Sequence, residues 1–265
     1  SVRQSRPGWQ NRRVWLAAGL PAILAAAGFV WWGRSANDAR TGSPVLARIT
    51  FDDGLTKDPA VSSDGKFIAY ASDRAGESLD IWIQPATSGE PVRLTHHAAD
   101  DHEPAFSPDG ATIAFRSERD GGGVYVASIL GGSQRLLVRH GRRPRFSPDG
   151  RWVVYWTGFS TGDPTAPGSN KIFIVPSNGG APKQVAPEFE SALFPVWSPD
   201  GKHVLFLGAN STDASNTSGV LTGANRPENR SDWWVTDIQR GATVRTGVLA
   251  EFAKQGLSVW AGAGA

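Results

Sequence analysis

Apolar residues in this chain come in short runs bounded by glycine, proline, serine or aspartate, a rhythm of strands and tight turns. In Ile81-Trp82-Ile83 and Val153-Val154-Tyr155-Trp156, bulky β-formers sit where sheet would pack on sheet, and alternation within the strands reads as half-burial between stacked sheets. Trp82, Tyr125, Phe173, Trp197 and Trp234 are read as packing residues between such sheets. The punctuation is regular. Ser-Pro-Asp-Gly stands at Ser107 to Gly110, Ser147 to Gly150 and Ser198 to Gly201, and Ser62-Ser63-Asp64-Gly65 is a variant copy. A proline lies three residues before each serine: Pro59, Pro104, Pro144 and Pro195.

Proline presets the second position of a type I turn, aspartate suits the third, and glycine takes the positive φ that closes a bulged hairpin. Asp64-Gly65, Asp109-Gly110, Asp149-Gly150 and Asp200-Gly201 are therefore predicted to be the hairpin tips of four units. The tip glycines are spaced by 45, 40 and 51 residues. Two further strands follow each hairpin, at 79–84 and 91–95, 123–128 and 134–138, 171–176 and 183–186, and 232–237 and 243–249. Four-stranded units at this period predict an all-β, partial β-propeller over residues 45–265. The first strand of each unit is expected nearest the axis, and four units are not expected to close a ring. Residues 46–50 read as a stray fourth strand. Residues 258–262 align with residues 195–199, as if a fifth unit began there, so an internal fragment of a longer protein is expected. Insertions at 159–170 and 209–231 fall between the second and third strands of their units.

The start of the chain has a different pattern. Residues 14–32 carry no charge, and as a helix they would be ~28 Å long, enough to cross a hydrocarbon core. Trp9, Trp15, Trp31 and Trp32 sit at the ends of this stretch, where interfacial aromatics belong. Arg3, Arg6, Arg12 and Arg13 precede it without an acidic residue. The positive-inside rule then makes 1–13 a basic cytoplasmic segment, 14–32 a transmembrane α-helix and 33–44 a linker, with the propeller outside. The alternatives are a cleaved signal sequence, with Ala25-Ala26-Ala27 as its small-residue site, or a buried core helix. Either exported reading is compatible with a chain that has no cysteine. A formal charge of +2 gives no case for nucleic acid binding.

The pattern Pro-x-Phe/Trp-Ser-Pro-Asp-Gly-Lys/Arg, with Ser72-Asp73-Arg74, Asp80-Ile81-Trp82 and Arg93-Leu94-Thr95, resembles the bacterial WD40-like propeller repeat of the TolB family. Such repeats occur in periplasmic TolB, in the propeller halves of prolyl-oligopeptidase-like peptidases, and in bacterial membrane proteins with a cytoplasmic serine/threonine kinase or winged-helix DNA-binding domain. The basic start, single span and external propeller are most similar to the last group. That resemblance implies a sensing or protein-binding module in the periplasm, anchored in the inner membrane and coupled to a kinase or DNA-binding effector that these residues do not include. A soluble TolB-like partner protein and the gating propeller of a peptidase are the other readings. The Asp-Arg element becomes Glu118-Arg119 in the second unit and is not evident in the third or fourth.

Candidate chemistry is sparse. His96, His97, Asp100, Asp101, His102 and Glu103 lie in the segment that opens the second unit, and His97, Asp101 and His102 carry donor types that suit a divalent metal. The favoured reading is a solvated loop in which Glu103 or His102 bonds nearby backbone. Asp73, Arg74 and Asp80 are expected to form an ion pair bracing the loop between strands two and three. No Gly-x-Ser-x-Gly elbow, phosphate loop or kinase motif occurs, so no catalytic residue and no cofactor are assigned. A protein or peptide partner is expected on the face carrying Asp73, Arg74, His97, Asp101 and Phe159, where loop length varies between units.

Overall fold

The computed structural model describes residues 48–51, 54–76, 78–158, 170–209 and 231–255. The predicted membrane segment, the strand start at 46–47, both insertions with Phe159, and residues 258–262 lie outside this set. No helix among the described residues is long and apolar enough to cross a membrane.

From Thr50 onward the chain forms one compact unit of sheets. The first sheet contains β1 (Thr56–Val61), β2 (Phe67–Ser72), β3 (Asp80–Pro85) and β4 (Val92–Arg93). The second contains β5 (Asp101–Phe106), β6 (Thr112–Ser117), β7 (Gly123–Ser128) and β8 (Arg135–Arg139). In the third are β9 (Gly141–Phe146), β10 (Trp152–Thr157), β11 (Lys171–Pro176) and β12 (Lys183–Val185). The fourth has β13 (Ser191–Trp197), β14 (His203–Ala209), β15 (Ser231–Asp237) and β16 (Thr243–Arg245). Each sheet is an antiparallel meander in chain order. The opening strands β1, β5, β9 and β13 pack in succession against one another, as the innermost strands of propeller blades do.

The turns explain why the hairpins form where they do. In each, the serine Oγ donates to the aspartate Oδ1, at 2.7 Å in the first unit and 2.5 Å in the other three. That oxygen also accepts the backbone N–H two residues on, from Lys66, Ala111, Arg151 and Lys202. Gly65, Gly110, Gly150 and Gly201 all have φ between 68° and 71°. This is the left-handed region where a side chain is disfavoured. The serine hydrogen bonds come first in holding these carboxyls below the usual range, to about 2 for Asp64 and Asp149. Asp109 and Asp200 are lowered for the same reason. Neighbouring turns also touch. A Cβ at Gly150 would lie 3.6 Å from the Pro108 ring, and one at Gly201 would lie 3.5 Å from that of Pro148.

Alternation along the second strands sends side chains into two interfaces at once. Ile113 and Phe115 join Ala69, Ile81 and Leu94 between the first and second sheets. Ala114 faces the other way and packs with Val124, Val153 and Tyr155. Val154 and Trp156 turn toward Val204 and Phe206 of the fourth sheet and Phe189 of the connection leading into it. Consecutive bulky residues in one strand are thus both buried.

Two expectations are corrected. Arg48 to Thr50 form no strand, and Ile49 and Phe51 are exposed. The last strand stops at Arg245, not at residue 249, and a short helix α1 (Val248–Lys254) follows. Gly247 at φ 71° breaks the extended backbone, after which Leu249, Ala250, Glu251 and Lys254 favour a helix.

Candidate partner-binding face

The loops between second and third strands, and the starts of the opening strands, define a loop face opposite the Ser-Pro-Asp-Gly turns. Each opening strand carries a bulge in the same place: between Lys57 and Ala60, His102 and Ala105, Arg142 and Arg145, and Leu193 and Val196. The residue before the proline lies in each bulge at positive φ: Asp58 at 53°, Glu103 at 55°, Arg143 at 47° and Phe194 at 54°. Proline disfavours compact conformations of the residue before it, and a non-glycine residue at positive φ costs about 1–3 kcal/mol. Four strained residues therefore stand in equivalent positions of adjacent innermost strands.

Their side chains form a chain of contacts from blade to blade. The Glu103 N–H donates to Asp58 Oδ2 at 3.4 Å. The Arg143 N–H donates to Glu103 Oε2 at 2.7 Å, and its Nε lies 3.5 Å from Oε1. The Arg143 guanidinium stands 5.2 Å over the ring of Phe194, which meets Trp156 edge-on at 5.7 Å. Beside this row, His102 Nε2 lies 3.1 Å from Glu118 Oε1, and His102 Nδ1 lies 3.8 Å from Asp58. Glu118 also binds Arg116, whose Nη1 donates to the carbonyl of Gly141 at 3.0 Å. The Arg116 bonds, followed by His102, hold the Glu118 carboxyl down at about 2. Arg142 lies 5.2 Å over Trp156 with its Nε buried and without a hydrogen-bond partner. The face runs from acidic at Asp58, Glu103 and Glu118 to basic and aromatic at Arg142, Arg143 and Phe194.

The residues singled out from the sequence are dispersed. Asp101 opens β5 and is fully buried, bound through both oxygens to Arg119 at 2.7 and 3.0 Å, so it is neither in a loop nor available to a partner. His97 is exposed, and its Nδ1 accepts the N–H of Ala99. His102 is committed to Glu118 and Asp58. These three do not converge, and no group of three or more His, Cys, Asp or Glu suited to a metal occurs among the described residues. Asp100 accepts the Leu79 N–H at 2.8 Å, a structural role.

The anticipated Asp73-Arg74-Asp80 brace takes another form. Asp80 is buried and pairs with Arg93 at 2.5 Å, while Arg74 lies 5.1 Å over the Trp82 ring. Burial raises the Asp80 carboxyl, against the opposing pull of Arg93. The second unit builds its own version, with Arg119 reaching Asp101, Gln134 and Ser117 and lying 4.7 Å over Tyr125. In the fourth, Arg245 binds Asp232 at 2.7 Å and lies over Trp234. Arginine and aspartate are thus consumed bracing the outer strands.

The family of the TolB beta propeller domain matches residues 41–162 and supports the TolB-type repeat. An uncharacterized protein of Agrobacterium fabrum is 26% identical over 214 residues, which are 78% of this chain and 70% of that protein. The structure of a putative TolB from Agrobacterium tumefaciens has a TM-score of 0.58 at 21% identity, covering 77% of this chain and 70% of its own. TolB from Acinetobacter baumannii has a TM-score of 0.54 at 19% identity, covering 72% of this chain and 43% of its own. A puromycin hydrolase reaches 0.54 at 12% identity, over 75% of this chain and 30% of its own. At these identities the structural likenesses show the propeller fold alone.

Proposed function

We propose that this TolB-like propeller is a protein-binding module that receives its partner on the loop face, across Asp58, His102, Glu103, Arg143 and Phe194. One observation carries the reading. Four strained pre-proline residues stand in register, and their side chains differ in charge and shape from unit to unit although the backbone around them repeats. Geometry needs the bulge but does not need these four side chains, and strain of this kind gathers where a surface is preorganised for binding. The row stands on strands of packed sheets, with those of Glu103 and Arg143 covered on both sides, so it presents a rigid surface rather than a mobile loop. Hydrogen exchange of the full chain with a peptide ligand selected from a random display library should show new protection at 58, 102–103, 142–143 and 194. Protection confined to the outer strands β4, β8, β12 and β16 would place the interface elsewhere.

We also propose that residues 14–32 export the propeller, as a single membrane anchor with the basic segment in the cytoplasm and the propeller in the periplasm. The uncharged length supports this, as does the excess of arginine before it: Arg3, Arg6, Arg12 and Arg13 without an acidic residue, against Arg34 and Arg40 with Asp38 after it. Coupling to a cytoplasmic kinase or DNA-binding domain belongs to the same proposal, and a soluble TolB-like partner protein is its alternative. An alkaline phosphatase reporter fused after Ala265 should be active and remain with membranes. Release into the soluble periplasmic fraction would select the alternative, and an inactive fusion would reverse the orientation.

A further inference from the structure

On the turn face the opening strands end around a depression of about 480 Å³ lined by Val61, Phe106, Arg145, Phe146, Val196 and Trp197. Its walls are apolar, and Val61 and Val196 keep 61% and 49% of their surface open to solvent there. Arg145 is the exception. In the strand registers its equivalents are Ala60, Ala105 and Val196, each two residues before a turn that is built the same way in all four units. The fold therefore tolerates a small apolar side chain at this place and gains no bracing from arginine.

The guanidinium is not part of an ion pair among the described residues. Its Nη1 donates to the carbonyl of the adjacent Pro144 at 2.9 Å, and no carboxylate lies within ion-pair distance of it among the described residues. Asp58 and Glu103 attract it only from a distance, and both are already engaged by the contacts of the loop-face row. Although its tip reaches solvent, the surrounding protein disfavours its charged form, with desolvation first and repulsion by Arg143 second, so its pKa is lowered. An arriving anion would offset the repulsion from Arg143.

We propose that this depression is a second binding site, separate from the loop face, which takes an acidic peptide segment by pairing one carboxylate with Arg145 while flanking apolar side chains rest on Val61, Phe146, Val196 and Trp197. The depression is too large for a lone small anion, and apolar walls around one forked cation match a carboxylate set between apolar residues better than a phosphate in water. The site does not depend on the loop-face reading, because its apolar walls belong to the turn end of the strands.

The full chain is applied to an array of short synthetic peptides that place one Asp or Glu between Leu, Val or Trp, each beside its Asn or Gln counterpart. Acidic peptides should be retained at least about tenfold more strongly than their amide counterparts, and retention should fall as salt is raised. Arg145→Ala should lose that preference, again by about tenfold, with an unchanged melting temperature because alanine already stands at two equivalent positions. Arg145→Lys should retain part of it, since charge survives without the fork. Arg240→Ala, which removes an exposed cation from the turn after β15, should leave retention intact. Equal retention of acid and amide peptides, undiminished retention by Arg145→Ala, or no retention would overturn the proposal. So would inorganic phosphate binding that requires Arg145 while no peptide is held.

Discussion

Replacing Arg119 by alanine should lower the unfolding free energy by about 3–5 kcal/mol, because it strands a buried carboxylate. Asp101 is fully buried, and two of its hydrogen bonds come from the Arg119 guanidinium. The same side chain bonds Gln134 and Ser117 and covers the Tyr125 ring, so its removal takes those contacts away as well. Urea unfolding should show a lower midpoint with a similar slope, since the surface exposed on unfolding hardly changes. Adding Asp101→Asn to Arg119→Ala should recover part of the loss by removing the stranded charge. A single variant as stable as the wild-type chain would mean that the pair braces nothing.

Phe206→Ala should be as damaging, at about 3–5 kcal/mol, for a different reason. Phe206 is fully buried between the third and fourth sheets, and its ring meets Phe189 edge-on at 5.0 Å. Sheets stacked in series contact mainly their neighbours, so the damage should be local at first. Hydrogen exchange should accelerate in β13, β14 and β15 well before β1, β2 and β3 are affected. Uniform acceleration throughout would show that the sheets open together.

What the sequence revealed tracks the range of the interactions involved. Ser107, Pro108, Asp109 and Gly110 specify their turn through bonds that span five residues or fewer, so the hairpins and the unit count were legible. Asp101 was misplaced because its partner is 18 residues away and only the folded sheet joins them. Asp80 likewise takes Arg93 across a strand pair rather than the nearby Arg74. The strand after Thr243 was drawn too long because apolar Val248 and Leu249 suit strand and helix equally, and Gly247 decides between them.

The loop-face row was missed although a signal for it existed. Asp58, Glu103, Arg143 and Phe194 each precede the proline that marks their unit, so aligning the four units superposes them. What periodicity does not carry is the sign of φ. A residue before proline reads as extended, and alternation would then point these side chains into the wrong layer. Arg145 becomes visible by the same alignment, as a charge in a column of Ala60, Ala105 and Val196.

The central claim is that the bulge residues hold their side chains for recognition and against the interest of the backbone. Arg143→Gly tests it most directly, because Arg143 is half exposed and sits at φ 47°. Glycine removes about 1–2 kcal/mol of left-handed strain and adds about 0.5–1 kcal/mol of unfolded-chain entropy, so stability should be unchanged or slightly raised. The account predicts a melting temperature at or above that of the wild-type chain, together with loss of binding to a peptide ligand selected on the loop face. A clear drop in melting temperature with binding intact would contradict it, and would make Arg143 a structural residue.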